Sequence, residues 1–280
     1  MIPIPEIFSE SDTIYHYTKA STAVEHILFK RQLRLSPRAR SNDPIEKVGF
    51  ILGRSFYGTD GKIHETLIKK YEKDANSIVQ QIDNKVKYAK QICFCLNHYS
   101  SEIEMGNPIR KDDYGFLKPR MWDQYGDKYK GVCLAFSKQK ILDNKGIDIH
   151  SEIEYVDYYN LEQNIDTIDL NSLDRIGFDV YNKNVQERVN GTFFKKHKDY
   201  KNENEFRILT YSKNNYEFLD IKDALTGIII PFSLINNEFI VEKLRNYSNE
   251  FNVELLYLDW DKNGISILSE KYFQKNYNCQ

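Results

Sequence analysis

The chain has 280 residues, of which 41% are hydrophobic and 14% aromatic, and this excludes a disordered chain. Thirty-nine basic against 41 acidic residues leave a net charge of -2, which excludes a globally basic nucleic-acid binder but not a local basic groove. A mean hydropathy of -0.61, with no apolar run of about 18 residues, excludes a membrane span.

The N-terminus, MIPIPEIFSESD, has neither a basic start nor an apolar stretch of signal-peptide length, so a cytoplasmic chain is expected. Cys93, Cys95 and Cys133 lie in apolar runs, where a reduced buried thiol is the usual state, and Cys279 is next to last. No CxxC or Cys/His ligand spacing suggests a structural zinc.

In chain order, TIYHYT (13–18) is β-branched and aromatic and predicts a strand. Thr22 and Glu25 form a capping-box pair ahead of Val24, Ile27 and Leu28, which predicts a short helix over 22–31. LRLS (33–36) predicts a strand, and PRARSNDPIE (37–46) a loop. From 62 to 90, Leu67, Tyr71, Ala75, Ile78, Ile82 and Val86 recur every three or four positions, which predicts one long amphipathic helix. ICFCL (92–96) reads as a buried strand, PRMWDQYGDKY as a short helix, and VCLAF after Gly131 as a strand. SEIEYVDY (151–158) alternates and predicts one strand; 168–190 is polar and helical. The chain then passes into a strand at about 204–211. TGIIIP (226–231), VELLYLDW (253–260) and ISIL (265–268) predict strands, and 235–248 a helix. The pattern is α+β, expected as a single domain over 1–280 with helical additions at about 62–90 and 165–200.

There is no GxGxxG after a strand, no phosphate loop, no HExxH and no GxSxG. Four polar and aromatic islands remain: Tyr15-His16-Tyr17-Thr18; Arg38 to Glu46; Met121-Trp122-Asp123-Gln124-Tyr125 with Lys130-Gly131; and Glu203-Asn204-Glu205-Phe206-Arg207. Strand alternation puts His16 and Thr18 on one face, with Tyr15 and Tyr17 on the other. It likewise points Glu203, Glu205 and Arg207 to one side. Singly, each island has an ordinary explanation. A strand histidine is more often a hydrogen-bonded structural residue, NDP is a common turn, Trp122 and Tyr125 suit a core, and Glu205 beside Arg207 suits a surface ladder.

In order, the islands resemble a widespread bacterial family of uncharacterised domains. The shared blocks are YHYT, a helix, an LxxS strand ending at Ser36, NDPxE (Asn42 to Glu46), the strand ICFCL, MWxxY…KGxCLxF and ExEFR. The resemblance covers roughly 13–230. It departs at Tyr200, where the family usually has Trp, and at Cys95-Leu96-Asn97, where a serine commonly follows the Cys-Phe pair. At the superfamily level the layout is similar to the ADP-ribosyltransferase fold, a split β-sheet core with an NAD site built from His, an aromatic and Glu. The resemblance implies His16, Tyr125 and Glu205 in these roles, with Glu203 as an accessory carboxylate. It implies Tyr17, Thr18, Ser36, Arg40, Asn42, Asp43 and Trp122 around NAD, with Trp122 or Tyr17 as alternative rings to stack on nicotinamide.

The chemistry suits these residue types. Nicotinamide leaves NAD neutral, so cleavage of its ribose bond needs no strong acid, but a fixed anion near the oxocarbenium-like centre helps. A Glu on a rigid strand supplies the anion, His16 bonds a ribose, and Arg38, Arg40 or Lys130 meet the pyrophosphate. The first expectation is therefore an NAD-dependent ADP-ribosyltransferase acting on a protein or nucleic acid, as a toxin or anti-phage effector. The second is a catalytically silent binding module of the same fold, working with an antitoxin or other regulatory protein. A metal-dependent nuclease using Asp157, Glu203 and Glu205 ranks last, lacking a metal-ligand cluster. Lys195-Lys196-His197-Lys198 reads as a solvated basic face or a phosphate contact.

Overall fold

The computed structural model describes residues 8, 12–40, 65–98, 113–157, 168–262, 264–270 and 273, and these form a mixed α/β architecture. Twelve strands are described. β1 is Thr13–Thr18, β2 Gln32–Pro37, β3 Ala89–Leu96, β4 Val132–Ser137, β5 Ile149–Glu152 and β6 Glu154–Val156. β7 is Lys195–His197, β8 Glu205–Tyr211, β9 Glu217–Asp220, β10 Leu225–Pro231, β11 Glu254–Asp261 and β12 Gly264–Ser269.

β3 organises the site. Along one edge it pairs with β8, from Ala89 opposite Tyr211 to Cys95 opposite Glu205. Its other edge is shared. β2 pairs there at Lys90 and Gln91, and β1 at Cys95 and Leu96. Neither register reaches Ile92, Cys93 or Phe94, so the sheet splits at this point. From β1 the sheet continues through β4, β10, β11 and β12; from β2 it ends in β9.

The two faces of β1 bury different cores. Ile14 joins Leu33, Phe94, Leu134, Phe206 and Ile228, covered by α1 and by α7 (Glu238–Phe251). α1 is Ala20–Thr22, continued as a π-helical stretch over Ala23–Leu28. Tyr15 and Tyr17 face the other way, into Phe116, Trp122, Cys133 and Ile229. This is the alternation expected of TIYHYT. Close approach to β1 explains Gly131: a Cβ there would lie 2.3 Å from the Thr18 carbonyl oxygen.

The long helix is observed as α2, Glu65–Tyr88, 24 residues without a break. Its apolar stripe, Ala75, Ile78 and Ile82, is buried against α5 (Leu170–Ile176) and α6 (Phe178–Thr192) in a third core. The expected 168–190 helix is thus two helices, divided at Gly177, whose φ of 81° ends the first. The single strand expected over 151–158 is also two. Ile149–Glu152 pairs with β8, while Glu154–Val156 leaves that sheet to pair with β7. β9 and the short helix α4 (Lys138–Leu142) lie where no element is expected, because four or five residues carry too little periodicity. α3, Pro119–Gln124, starts on a proline, as the PRMWDQ run suggests. No described helix is long and apolar enough to cross a membrane.

Candidate active site

The split in the sheet opens a cleft of about 720 Å³. His16, Thr18, Ser36 and Arg40 border it, as do Tyr17, Tyr125, Glu203 and Glu205. These are eight of the residues singled out from sequence. His16 leans across the gap, and its Nδ1 lies 3.0 Å from the Cys93 carbonyl oxygen in the unpaired stretch of β3. A carbonyl only accepts, so Nδ1 carries the proton and Nε2 is left as the acceptor. Burial lowers the His16 pKa, and the Cys93 bond only partly opposes this. The ring is therefore neutral at pH 7.

The carboxylates reach the cleft from the other side of β3. Tyr15 is opposite Cys95, and Cys95 opposite Glu205, so Glu205 shares the face of Tyr15 and Tyr17 while His16 occupies the reverse face. Only because the sheet is split do both line one cavity.

Glu205 opens β8 and is buried, as is Glu203 two residues earlier. Arg207 donates to Glu205 Oε1 from Nε at 2.8 Å and lies 2.7 Å away through its second nitrogen. Lys196 Nζ donates to Glu205 Oε2 at 2.9 Å and to Glu203 Oε2 at 2.6 Å. Burial opposes the Glu205 charge, but Arg207 and Lys196 outweigh it and, with the Cys93 thiol, hold its carboxyl down to about 2. Glu203 has a weaker set. Burial pushes its carboxyl up, and Lys196 does not fully compensate. Among the described residues its Oε1 meets only the Tyr125 hydroxyl, at 3.4 Å. Glu205 is thus saturated with donors, while Glu203 keeps acceptor capacity on the oxygen nearest Tyr125.

Tyr125 closes α3. The following residues Asp127, Lys128 and Tyr129 have φ of 50°, 54° and 62°. Three left-handed non-glycine residues in a row cost on the order of 1–2 kcal/mol each. This tight turn returns the chain to Gly131 at β1 and fixes the end of α3 beside the carboxylates. Burial raises the Tyr125 pKa, and the nearby Glu203 charge adds to it, so the phenol stays a donor.

Other expected residues lie elsewhere. Trp122 is fully buried, donates its indole N–H to Phe116 at 2.8 Å and packs edge-on against Tyr17, so it cannot stack on a ligand. Tyr17 is buried as well, its hydroxyl bonded to the Gly115 carbonyl at 2.6 Å; only its ring borders the cleft. Arg38 is buried with its guanidinium over Phe193, and Lys130 is exposed; neither borders the cleft. Asn42 and Asp43 lie outside the described residues. Asp157 pairs with Lys198 at 2.6 Å, away from the cleft, so it does not join Glu203 and Glu205. Among the described residues no group of three His, Cys, Asp or Glu side chains is suited to a metal ion.

The reading of 195–198 as a solvated basic face fails at Lys196. It is buried between two carboxylates and over the Tyr200 ring at 4.5 Å. Burial disfavours its charge, yet Glu205 and Glu203 raise its pKa, so it stays an ammonium. A usable signal was present: in KKHK, alternation sends Lys196 opposite to Lys195 and His197. Arg34, Tyr216 and Phe218 at the cleft carry no site expectation, and Cys93 stands in the ICFCL block with no role assigned to it.

The segment that supplies Tyr125, Lys196 and both carboxylates is also the one with a known counterpart. No curated protein and no solved structure matches the chain. Over residues 121–208, from the start of MWDQY to the residue after Arg207, the chain is similar to a family described as a protein of unknown function (DUF2971).

Proposed function

We propose that the protein is an NAD-dependent ADP-ribosyltransferase with an ADP-ribosyltransferase-like split-sheet core. The observation that carries this reading is the split at β3: one cleft is bordered by a neutral histidine on the first strand and a buried carboxylate pair at the start of a later one.

In this reading His16 Nε2 accepts from a ribose hydroxyl, and Arg40 meets the pyrophosphate. Glu205 is the charge that stays ionised, locked by Arg207 and Lys196. Its oxygens are occupied, so the group that faces the reacting ribose is Glu203, through Oε1. This reverses the expected ranking, in which Glu205 is the main carboxylate and Glu203 its accessory. The bond between ribose C1 and the nicotinamide nitrogen breaks, and its electron pair leaves with the neutral nicotinamide. The acceptor's nucleophile supplies the pair for the new bond at C1, and its proton passes to Glu203. A carboxyl raised by burial is a better base for that step than one near 2. Tyr125 donates to Glu203 and presents its ring at the same end.

The test is release of nicotinamide from NAD by the purified protein. Turnover is expected to fall about 10²-fold or more in Glu203→Gln, the scale of one preorganised electrostatic contact. The reading is wrong if the wild-type protein releases none in the presence of cell extract as an acceptor source. The saturated Lys196–Glu205–Arg207 cluster also suits the second reading, a silent binding module. That reading predicts an NAD-induced rise in melting temperature with no release.

A further inference from the structure

The outer wall of the cleft is a two-stranded ribbon whose chemistry differs from the carboxylate end. Arg34 of β2 lies directly opposite Phe218 of β9, so both side chains share one face, and Tyr216 lies two residues before Phe218 on the same side. The Arg34 guanidinium sits 4.6 Å over the Tyr216 ring, and the Arg40 guanidinium 5.2 Å over it, with Arg40 also bonded to the Tyr216 hydroxyl. Phe218 remains 49% exposed although it borders a cavity. Lys30, at the end of α1, borders the same cavity.

Two contrasts give this wall meaning. Arg31 and Arg245 are paired with Glu250 and Glu270. Among the described residues no carboxylate forms an ion pair with Arg34 or Arg40. Stacked guanidiniums keep most of their N–H donors for another anion, and planar forks suit phosphate. An open aromatic face between cations suits an unstacked base. A protein with net charge -2 has concentrated cations and an exposed ring on one wall of this cleft.

We infer that this wall binds single-stranded nucleic acid, with Phe218 stacking on a base and Lys30 and Arg34 meeting the backbone phosphates. A duplex keeps its base faces covered, so it cannot offer one to Phe218. The strand would run toward the carboxylate end, which makes it the acceptor for ADP-ribose. That last role rests on the NAD reading; strand binding itself does not.

The experiment is fluorescence anisotropy of a labelled mixed-sequence 12-nucleotide DNA and its RNA equivalent, against the full chain without NAD. Single strands are expected to bind more tightly than the matching duplex. Two neutralised phosphates give a log–log salt slope of about -1.4, so affinity falls roughly sevenfold between 50 and 200 mM salt. Phe218→Ala is expected to weaken binding by roughly tenfold, on the scale of one lost base stack. Arg34→Ala should make the salt slope shallower by about 0.7. Both side chains are exposed, and unchanged melting temperatures verify the fold. The inference is overturned by no binding at 50 mM salt, by equal affinity for duplex, or by an acidic peptide displacing the strand while Phe218→Ala has no effect. Strand binding without nicotinamide release defeats the NAD reading alone; release without strand binding defeats this inference alone.

Discussion

Glu205→Gln isolates what the buried ionic cluster contributes. The substitution keeps shape and removes one charge. The wild-type carboxyl is held at about 2 against an ordinary 4.5, so ionisation contributes about 3 kcal/mol to stability at neutral pH. An independent guide agrees, since removing one partner of a buried ion pair costs roughly 3–5 kcal/mol. Lys196 keeps Glu203 in the variant, and Arg207 keeps its bond to the Phe193 carbonyl, so the lower end is expected. The sign with pH follows from the depressed folded-state value. The stabilisation is fully present above about 4.5 and is lost as pH falls toward 2. Urea unfolding of wild type and variant should therefore show a gap of about 3 kcal/mol at pH 7 and pH 5, shrinking to about half by pH 3. Glu203→Gln is the control. Burial raises that carboxyl, so its charge is not a source of stability, and the variant should stay within about 1 kcal/mol of wild type at pH 7. A Glu205→Gln gap that is the same at pH 3 and pH 7 would refute the electrostatic account. So would a gap below 1 kcal/mol at neutral pH, on the same scale of a buried pair.

Three further outcomes are expected. His16→Ala should weaken NAD binding about tenfold, the value of one hydrogen bond, while lowering stability by about 1 kcal/mol through the lost Cys93 contact; calorimetry with NAD reads the first and melting the second. Gly131→Ala should destabilise by several kcal/mol or prevent folding, because its Cβ meets backbone at 2.3 Å rather than a movable side chain; soluble yield and thermal melting check this. Ile78→Ala should cost roughly 2–5 kcal/mol in denaturant unfolding, since Ile78 is fully buried against α5 and α6; an effect below 0.5 kcal/mol would mean α2 does not dock there.

Much of the framework was legible in the sequence because its signals are local. TIYHYT, VCLAF and TGIIIP have the residue types and lengths of strands, and the long helix repeats its apolar positions over six turns or so. The strand at 151–158 was misread because alternation runs through Ile153 without a pause, while the chain changes sheets there; only the partners, Phe206 and Lys195, mark the break. The site was half legible. His16, Tyr125, Glu203 and Glu205 share the cleft, whereas Trp122 takes the ordinary core reading of that residue, its indole N–H bonded to Phe116. Lys196 was misplaced. Its charge suggests water, and the two carboxylates that bury it are seven and nine residues downstream, across a 3-10 turn. Which carboxylate is saturated depends partly on Arg207, a local i+2 neighbour of Glu205, and partly on Cys93, which only the β3–β8 register brings near.

The central claim is that Glu203 faces the reacting ribose in the cleft opened by the split sheet. A crystal structure with a non-hydrolysable NAD analogue tests this most directly. The account predicts ribose C1 beside Glu203 Oε1, the nicotinamide against Tyr125, a ribose hydroxyl on His16 Nε2 and the pyrophosphate at Arg40. An analogue bound outside this cleft, or with its ribose away from Glu203, would contradict it.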